Sequence, residues 1–326
     1  MKSAIELLQE QFNGRILLNE PLSHHTTFRI GGPADIFFDA RTREELVQII
    51  TMSNKLSLPL FILGGGTNIL VGDKGIRGMV VKNSTGRIAM KGVKGSVKGG
   101  ATSRRAYVEA ESGVIFNKLV RFTIEEGLEG IEMHLGLPGT VGGAVYMNSK
   151  WTHPEGFVGN CVYQAEILSA DGVQKTVPKG YFQFAYDSSL IQKTKETVLS
   201  VVFEFRVDSK ERLWEVATRS MTHRRDTQPQ GVKSAGCIFQ NISEATAITL
   251  ALPNHTTSAG FLVDHSGLKG AAVGDAQISP VHANFIINRG QAQASDVVQL
   301  IDRAKEQVKR QFGVDLVEEV ERIGEF

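Results

Sequence analysis

Apolar and polar residues alternate along this chain at spacings that mark out its elements. Residues 34–38 (ADIFF) predict a strand. Residues 42–54 (TREELVQIITMSN) predict a helix, with Thr42 as N-cap and Glu45 at the capping-box position. The short apolar run 59–63 (PLFIL) predicts a buried strand that opens straight into Gly64, Gly65, Gly66, Thr67 and Asn68. Residues 79–83 (MVVKN) predict another strand. The order is β-α-β-loop-β, an α+β or α/β arrangement.

From about 85 to 208 the pattern changes to short strands separated by Gly- and Ser-containing turns such as SVKGGATS and LSADGVQK. One helix interrupts them at 114–127, and the run ETVLSVVFEFRV (196–207) predicts a long strand. A third region opens with the helix ERLWEVATRSMTHRRDT from residue 211 and continues through glycine-rich strands. Its last helix spans 295–313, with Ser295 as N-cap and Gly313 as the stop, followed by a final strand, DLVEEVERIG. In VHANFIIN, strand alternation would set His282, Asn284 and Ile286 on one face, lining a pocket or facing solvent as an edge. The first twenty residues carry an amphipathic helix pattern.

Composition narrows the classes. The chain has 326 residues, which suggests two domains or three small ones. Lys+Arg number 36 and Asp+Glu 35, so a global basic field for nucleic acid is absent. The amphipathic N-terminal pattern lacks a signal peptide's apolar stretch, and no run reaches membrane-spanning length, so a cytoplasmic protein is expected. The two cysteines, Cys161 and Cys237, form neither a disulfide framework nor a zinc motif. No metal site is expected, because no carboxylate is spaced to join His24 and His25. Glycine stands out at 34 residues against nine prolines, which points to tight turns or to backbone that approaches a ligand.

Two glycine clusters carry candidate chemistry. LGGGTNILV sits at a strand-to-loop junction, where consecutive backbone N–H groups can cradle a pyrophosphate; a plain glycine turn is the alternative. GLPGTVGGA places Gly136, Pro138, Gly139, Thr140, Gly142, Gly143 and Ala144 in one short stretch suited to a flat ring or a phosphate, or to a bulged strand pair. Two such loops favour a large phosphate-bearing cofactor, although neither is a Walker A or GxGxxG sequence. Arg224, Arg225 and Lys233 precede Cys237, whose thiol would become more acidic beside them; a small buried hydrophobe is the plainer fate of a lone cysteine.

Together these segments resemble the UDP-N-acetylenolpyruvoylglucosamine reductases (MurB). The resemblance rests on HTTFRIGGPAD, LGGGTNILVGDKGIRGMVVKN and GLEGIEMHLGLPGTVGGAVYMN, and on SAGCIFQN, AGFLVDHSGLKG, VHANFIIN and GVDLVEEVERIG, all in order. It covers nearly the whole chain and is similar to the shorter class of these enzymes. It implies an α+β protein with an FAD-binding fold of the vanillyl-alcohol-oxidase type, that of p-cresol methylhydroxylase. Residues 1–84 and 85–208 would be two FAD-binding subdomains, 209–312 a substrate-binding domain, and 313–326 the strand carrying a catalytic Glu. It implies noncovalent FAD, NADPH as reductant, a nucleotide-sugar substrate, and a monomer with no nucleic-acid or membrane partner. The cofactor residues would be Gly64, Gly65, Gly66, Thr67, Asn68, Gly136, Pro138, Gly139, Thr140, Gly142, Gly143 and Ala144. Substrate contacts would be Tyr186, Arg224, Arg225, Lys233, Asn241 and His282.

The family reaction delivers hydride to C3 of the enolpyruvyl group and a proton to C2. The resemblance implies that Glu319 is the family's catalytic Glu and that Cys237 stands at its serine. A thiol, with an ordinary pKa near 8.5, is a far better acid than an alcohol. Asp187 in AYDSS stands at the family's arginine, and Glu321 replaces a second one. Either Arg224, Arg225, Lys233 or Arg322 would then supply the missing positive charge, or the substrate would be held differently. FQNI at 239–242 and SKWTHPE at 149–155 are further departures from the family's FKNP and its glycine-bearing loop. Asp187 and Glu321 leave two other readings open: a flavin oxidoreductase of the same fold with another substrate, or a catalytically silent flavin-binding protein. The presence of Cys237 and Glu319 speaks against the silent one.

Overall fold

The computed structural model describes residues 3–98 and 101–326; Gly99 and Gly100 of the SVKGGATS turn lie outside the described residues. The chain divides into two compact units. The first comprises residues up to 17, 36–65 and 78–224, and the second residues 18–35, 66–77 and 225–326.

The first unit has two hydrophobic cores. In one, the helix Arg43–Lys55 packs Leu46, Ile49 and Ile50 against Phe38, Met79 and Val81, all buried. The strand Leu60–Leu63 pairs parallel with Ile76–Asn83, which in turn neighbours Pro33–Ala40. The helix connects Pro33–Ala40 to Leu60–Leu63, and residues 64–75, which carry the first glycine cluster, connect the two strands of the parallel pair. Thr42 caps that helix, its hydroxyl accepting from the Glu45 N–H at 3.2 Å. The Glu45 carboxylate faces the N-cap backbone at Arg41 and Thr42. It accepts from the Arg41 N–H at 2.8 Å and pairs with Arg15.

The other core lies on an antiparallel sheet. Its path runs Gln174–Pro178, Val162–Leu168, Thr197–Val207, Ala101–Glu111, Ile88–Lys98, and the short strand Leu128–Glu129 joins Thr197–Val207 as well. Val201, Phe203 and Phe205 alternate inward from the long strand, as its pattern predicts. The helix Phe116–Glu125 buries Phe116, Leu119, Val120 and Ile124 against them.

The second unit has its own core, built from Phe28, Ile30 and Leu70 together with the helices Ala259–His265 and Ala294–Phe312. Four expectations change in detail. The N-terminal helix is only Ala4–Gln11, because Asn13 and Gly14 take positive φ and turn the chain into the strand Leu17–Pro21. The last long helix begins at Ala294 rather than after Ser295. Its first N–H groups are taken by a side chain remote in sequence, with Asp73 accepting from Ala294 at 2.7 Å and from Ser295 at 3.0 Å. Gly313 does end that helix, at φ 71.

In VHANFIIN the strand starts only at Ile286. Residues 282–285 form a turn closed by the Phe285 N–H to the His282 carbonyl, so the expected shared face of His282 and Asn284 is lost. The terminal strand is likewise short, Glu321–Ile323, because residues 317–320 are drawn against the segment around Phe239 instead.

The capping role of Asp73 can be measured. Asp73→Ala is expected to cost about 1–2 kcal/mol in urea unfolding, whereas Ser295→Ala stays within about 0.5 kcal/mol.

Candidate functional site

In the first unit the two glycine loops meet. A Cβ on Gly64 would lie 2.7 Å from Thr140 Oγ1, so the contact requires glycine. The Thr140 hydroxyl accepts from the Gly143 N–H at 3.3 Å and caps the short helix Val141–Tyr146. Gly136 and Gly139 take φ 91 and 103, the left-handed region, and turn the loop toward that helix. The residues fit a flavin dinucleotide: Gly65, Pro138 and Gly143 are exposed, so a flat ring or a pyrophosphate can reach main chain without meeting side chains. Ala144 is buried beneath the loop. Gly142 serves packing, since its Cβ would lie 3.0 Å from Ser112 Cβ and its N–H donates to the Ser112 carbonyl at 2.7 Å.

The same unit holds Arg224, Tyr186 and Asp187, which the sequence singles out, and His134 and Lys150, which it does not. Arg224 lies 4.0 Å above the Trp151 ring and runs beside Gly136. His134 is fully buried with neither ring nitrogen hydrogen-bonded; desolvation, helped by Arg224, holds its pKa down at about 4. It is therefore neutral at pH 7. Lys150 sits 4.7 Å above the Tyr186 ring and 5.6 Å from that of Phe157. Asp187 takes φ 49, and the Tyr186 side chain hydrogen-bonds its carboxylate. Burial pushes the Asp187 carboxyl up to about 6, against the opposing pull of Lys150. The one sequence signal for Lys150 was a lysine in a loop that the family resemblance expects to hold glycines.

The second unit gathers the remaining residues. The boundary between units falls between Gly65 and Gly66. Gly66, at φ 62, lies against the His25 carbonyl, where a Cβ would come within 2.3 Å. Thr27 ties two segments of the second unit together: its N–H donates to the Gly66 carbonyl at 3.0 Å and its hydroxyl to the Ser234 carbonyl at 2.8 Å. Thr67 leads into Asn68, whose amide donates to the Glu319 carbonyl at 3.0 Å, while its own carbonyl accepts from the Glu321 N–H at 3.0 Å. Beyond it Ile69–Val71 pairs parallel with Glu321–Ile323.

Cys237 and Glu319, far apart in sequence, are neighbours here. Cys237 bridges Phe285, and the Glu319 N–H donates to the Ile238 carbonyl at 2.8 Å. Asn284 is buried and clamps the same segment, accepting from the Phe239 N–H at 2.9 Å and donating to its carbonyl at 2.8 Å. Asn241 accepts from the Ala259 N–H at 3.2 Å. His282 packs on the helix at Gly260, and its ring is held below the usual imidazole pKa by desolvation.

The candidate replacement cations separate. Arg322 binds Glu318 at 2.7 Å and Asp302 at 3.6 Å, so it is committed to surface ion pairs. Arg225 is exposed and pairs with Asp226 at 3.1 Å. Lys233 is exposed, its backbone bridging Asn288. Cys161 is half-buried at a hydrogen bond to the Gly130 carbonyl, and desolvation, with Glu132 adding to it, pushes its thiol up to about 12. Among the described residues no group of three or more His, Cys, Asp and Glu side chains could hold a metal, and no helix is long and apolar enough to cross a membrane.

Comparison with known proteins matches residues 228–323 to the C-terminal domain of UDP-N-acetylenolpyruvoylglucosamine reductase. Residues 34–177 match an FAD binding domain. The UDP-N-acetylenolpyruvoylglucosamine reductase of Moorella thermoacetica is 38% identical, over 98% of this chain and 96% of that one. The crystal structure of the Thermus caldophilus enzyme (MurB) is similar at a TM-score of 0.73 and 31% identity, over 94% of this chain and 97% of that one. A vanillyl-alcohol-oxidase-type flavoprotein from Myceliophthora thermophila shares the fold at a TM-score of 0.57 and 10% identity, over 95% of this chain and 85% of that one. The α+β fold expected from the resemblance, with its vanillyl-alcohol-oxidase-type FAD-binding part, is thus borne out. With these matches spanning both units, the chain belongs to the UDP-N-acetylenolpyruvoylglucosamine reductases, the FAD-dependent, NADPH-consuming oxidoreductases of peptidoglycan precursor synthesis.

Proposed function

We propose that Cys237 and Glu319 carry the proton chemistry of this reductase. The supporting observation is their arrival on adjoining backbone, with the Glu319 N–H donating to the Ile238 carbonyl at 2.8 Å. Residues 1–84 and 85–208 hold FAD, 209–312 hold the nucleotide sugar, and 313–326 deliver Glu319. Gly64 to Asn68 and Gly136 to Ala144 contact the cofactor. Tyr186, Arg224, Arg225, Lys233, Asn241 and His282 contact the substrate. The protein acts as a cytoplasmic monomer on a small nucleotide-sugar substrate.

Bound FAD supplies the two-electron relay between NADPH and the enolpyruvyl group. The protein's own task is the charge that then develops on C2 and its carboxylate. A preorganised donor must stabilise that charge and an acid must quench it. Cys237 gives its thiol proton to C2. Glu319 is its partner, orienting the thiol toward C2 as the charge develops. The Cys237 main chain is fixed by the Phe285 bridge, so the donor needs little reorganisation.

Stopped-flow spectroscopy separates the two half-reactions. Cys237→Ala should leave flavin reduction by NADPH little changed and slow reoxidation by the enolpyruvyl nucleotide by about 10²-fold or more. Cys237→Ser should keep substantial activity. Equal loss in both half-reactions would make the cysteine structural.

Alkylation offers a second readout. Cys161, with its thiol held near 12, has almost no thiolate at pH 7.5 and should stay unlabelled by iodoacetamide. Labelling at Cys237 should inactivate the protein and spare the Ser variant. Substantial labelling at Cys161 would contradict the burial argument.

The glycine loop is tested by absorbance at fixed protein concentration. Gly143 is exposed, and a Cβ there meets only Thr140 Oγ1 at 3.6 Å. Gly143→Leu should therefore keep its fold and lose most of its flavin. Gly142→Leu should instead cost about 1–3 kcal/mol by pressing on Ser112. Full flavin content in folded Gly143→Leu would remove this loop from the cofactor site.

A further inference from the structure

By the family resemblance Asp187 stands where an arginine is expected, and the same region of the first unit provides a cation, Lys150. Side chains bonded to main chain fix two segments side by side there. Asn148 donates to the Ala185 carbonyl at 2.8 Å and accepts from the Gly159 N–H at 2.9 Å. Ser189 and Gln192 both donate to the Tyr146 carbonyl, at 2.6 and 2.9 Å, and Gln192 also donates to the Asp187 carbonyl at 3.0 Å. This frame sets Lys150, two residues beyond Asn148, over Tyr186.

We propose that Lys150 is the cation that binds the carboxylate of the enolpyruvyl substrate, with Tyr186 and Asp187 as its positioning residues. The inference rests on the function given above.

Three features support it. The faces of Tyr186 and Phe157 attract the ammonium at 4.7 and 5.6 Å without occupying its three N–H donors, which stay available to a ligand. Among the described residues Asp187 makes no ion pair with Lys150, and its Oδ2 is buried without a hydrogen-bond partner, so the ammonium is not taken up by it. Arg322 and Arg225 are committed to Glu318, Asp302 and Asp226.

The test compares two nucleotide sugars on the flavin-loaded protein by calorimetry. UDP-N-acetylmuramate carries the carboxylate, and UDP-N-acetylglucosamine lacks it. Lys150→Ala should weaken UDP-N-acetylmuramate at least tenfold and leave UDP-N-acetylglucosamine within threefold. Lys150→Ala combined with Asp187→Arg should recover most of the loss, because it returns a cation from the other side of the pair. Flavin content and circular dichroism confirm folding, and Lys150→Gln, which keeps the stem, should repeat the selective loss if the Ala variant is unstable. Equal weakening of both ligands, or of neither, overturns the role of Lys150. If the unmutated protein binds neither ligand, the substrate reading itself falls, and this inference with it.

Discussion

Everything proposed for proton transfer depends on one stretch of main-chain pairing. Residues 238–240 and 317–320 share hydrogen bonds, and the Asn284 amide closes on Phe239 from a third segment. Buried amide groups must be paired, because an unsatisfied one costs about 1–3 kcal/mol. The arrangement therefore has little freedom. It holds the segments that carry a thiol and a carboxylate side by side although the two are far apart in sequence. Asn68 extends the same pairing to the loop that begins with the first glycine cluster.

The first unit uses a different device. Its two glycine loops come together by omission: Gly64 leaves space that the Thr140 hydroxyl fills. Main chain then forms the surface, which suits a ligand with a flat ring and a pyrophosphate. Side chains with charge are kept at the margin. Arg224 lies flat on Trp151, and Lys150 lies over Tyr186. Aromatic faces let these cations stay near an apolar surface without neutralising them.

Burial sorts the titratable groups. Desolvation leaves His134 neutral and Cys161 protonated, so neither carries charge at pH 7. The same effect raises Asp187 to about 6, which still leaves it mostly ionised at pH 7 where the resemblance expects an arginine. Glu318, by contrast, lies below the usual carboxylate range despite burial, because Arg322 and Lys305 bond to it. Its neighbour Glu319 is thereby distinguished from it: one carboxylate closes a surface ion-pair network, and the other is proposed for chemistry.

The sequence by itself determined the elements with strong periodicity and both glycine clusters. The helix Arg43–Lys55, the strand Thr197–Val207 and the Gly313 stop were legible because local spacing and backbone conformation dictate them. The ordered motifs also carried the family, and with it Cys237 and Glu319. Tertiary structure decided what local pattern does not encode. Asp73 caps a helix that is remote in sequence, so Ser295 yielded its place. Asn284 turned inward to satisfy Phe239, which broke the expected strand face. The neighbourhood of Lys150, Tyr186 and Asp187 exists only after Asn148, Ser189 and Gln192 tie their segments together, because hydrogen bonds between distant residues leave no periodic trace in the chain.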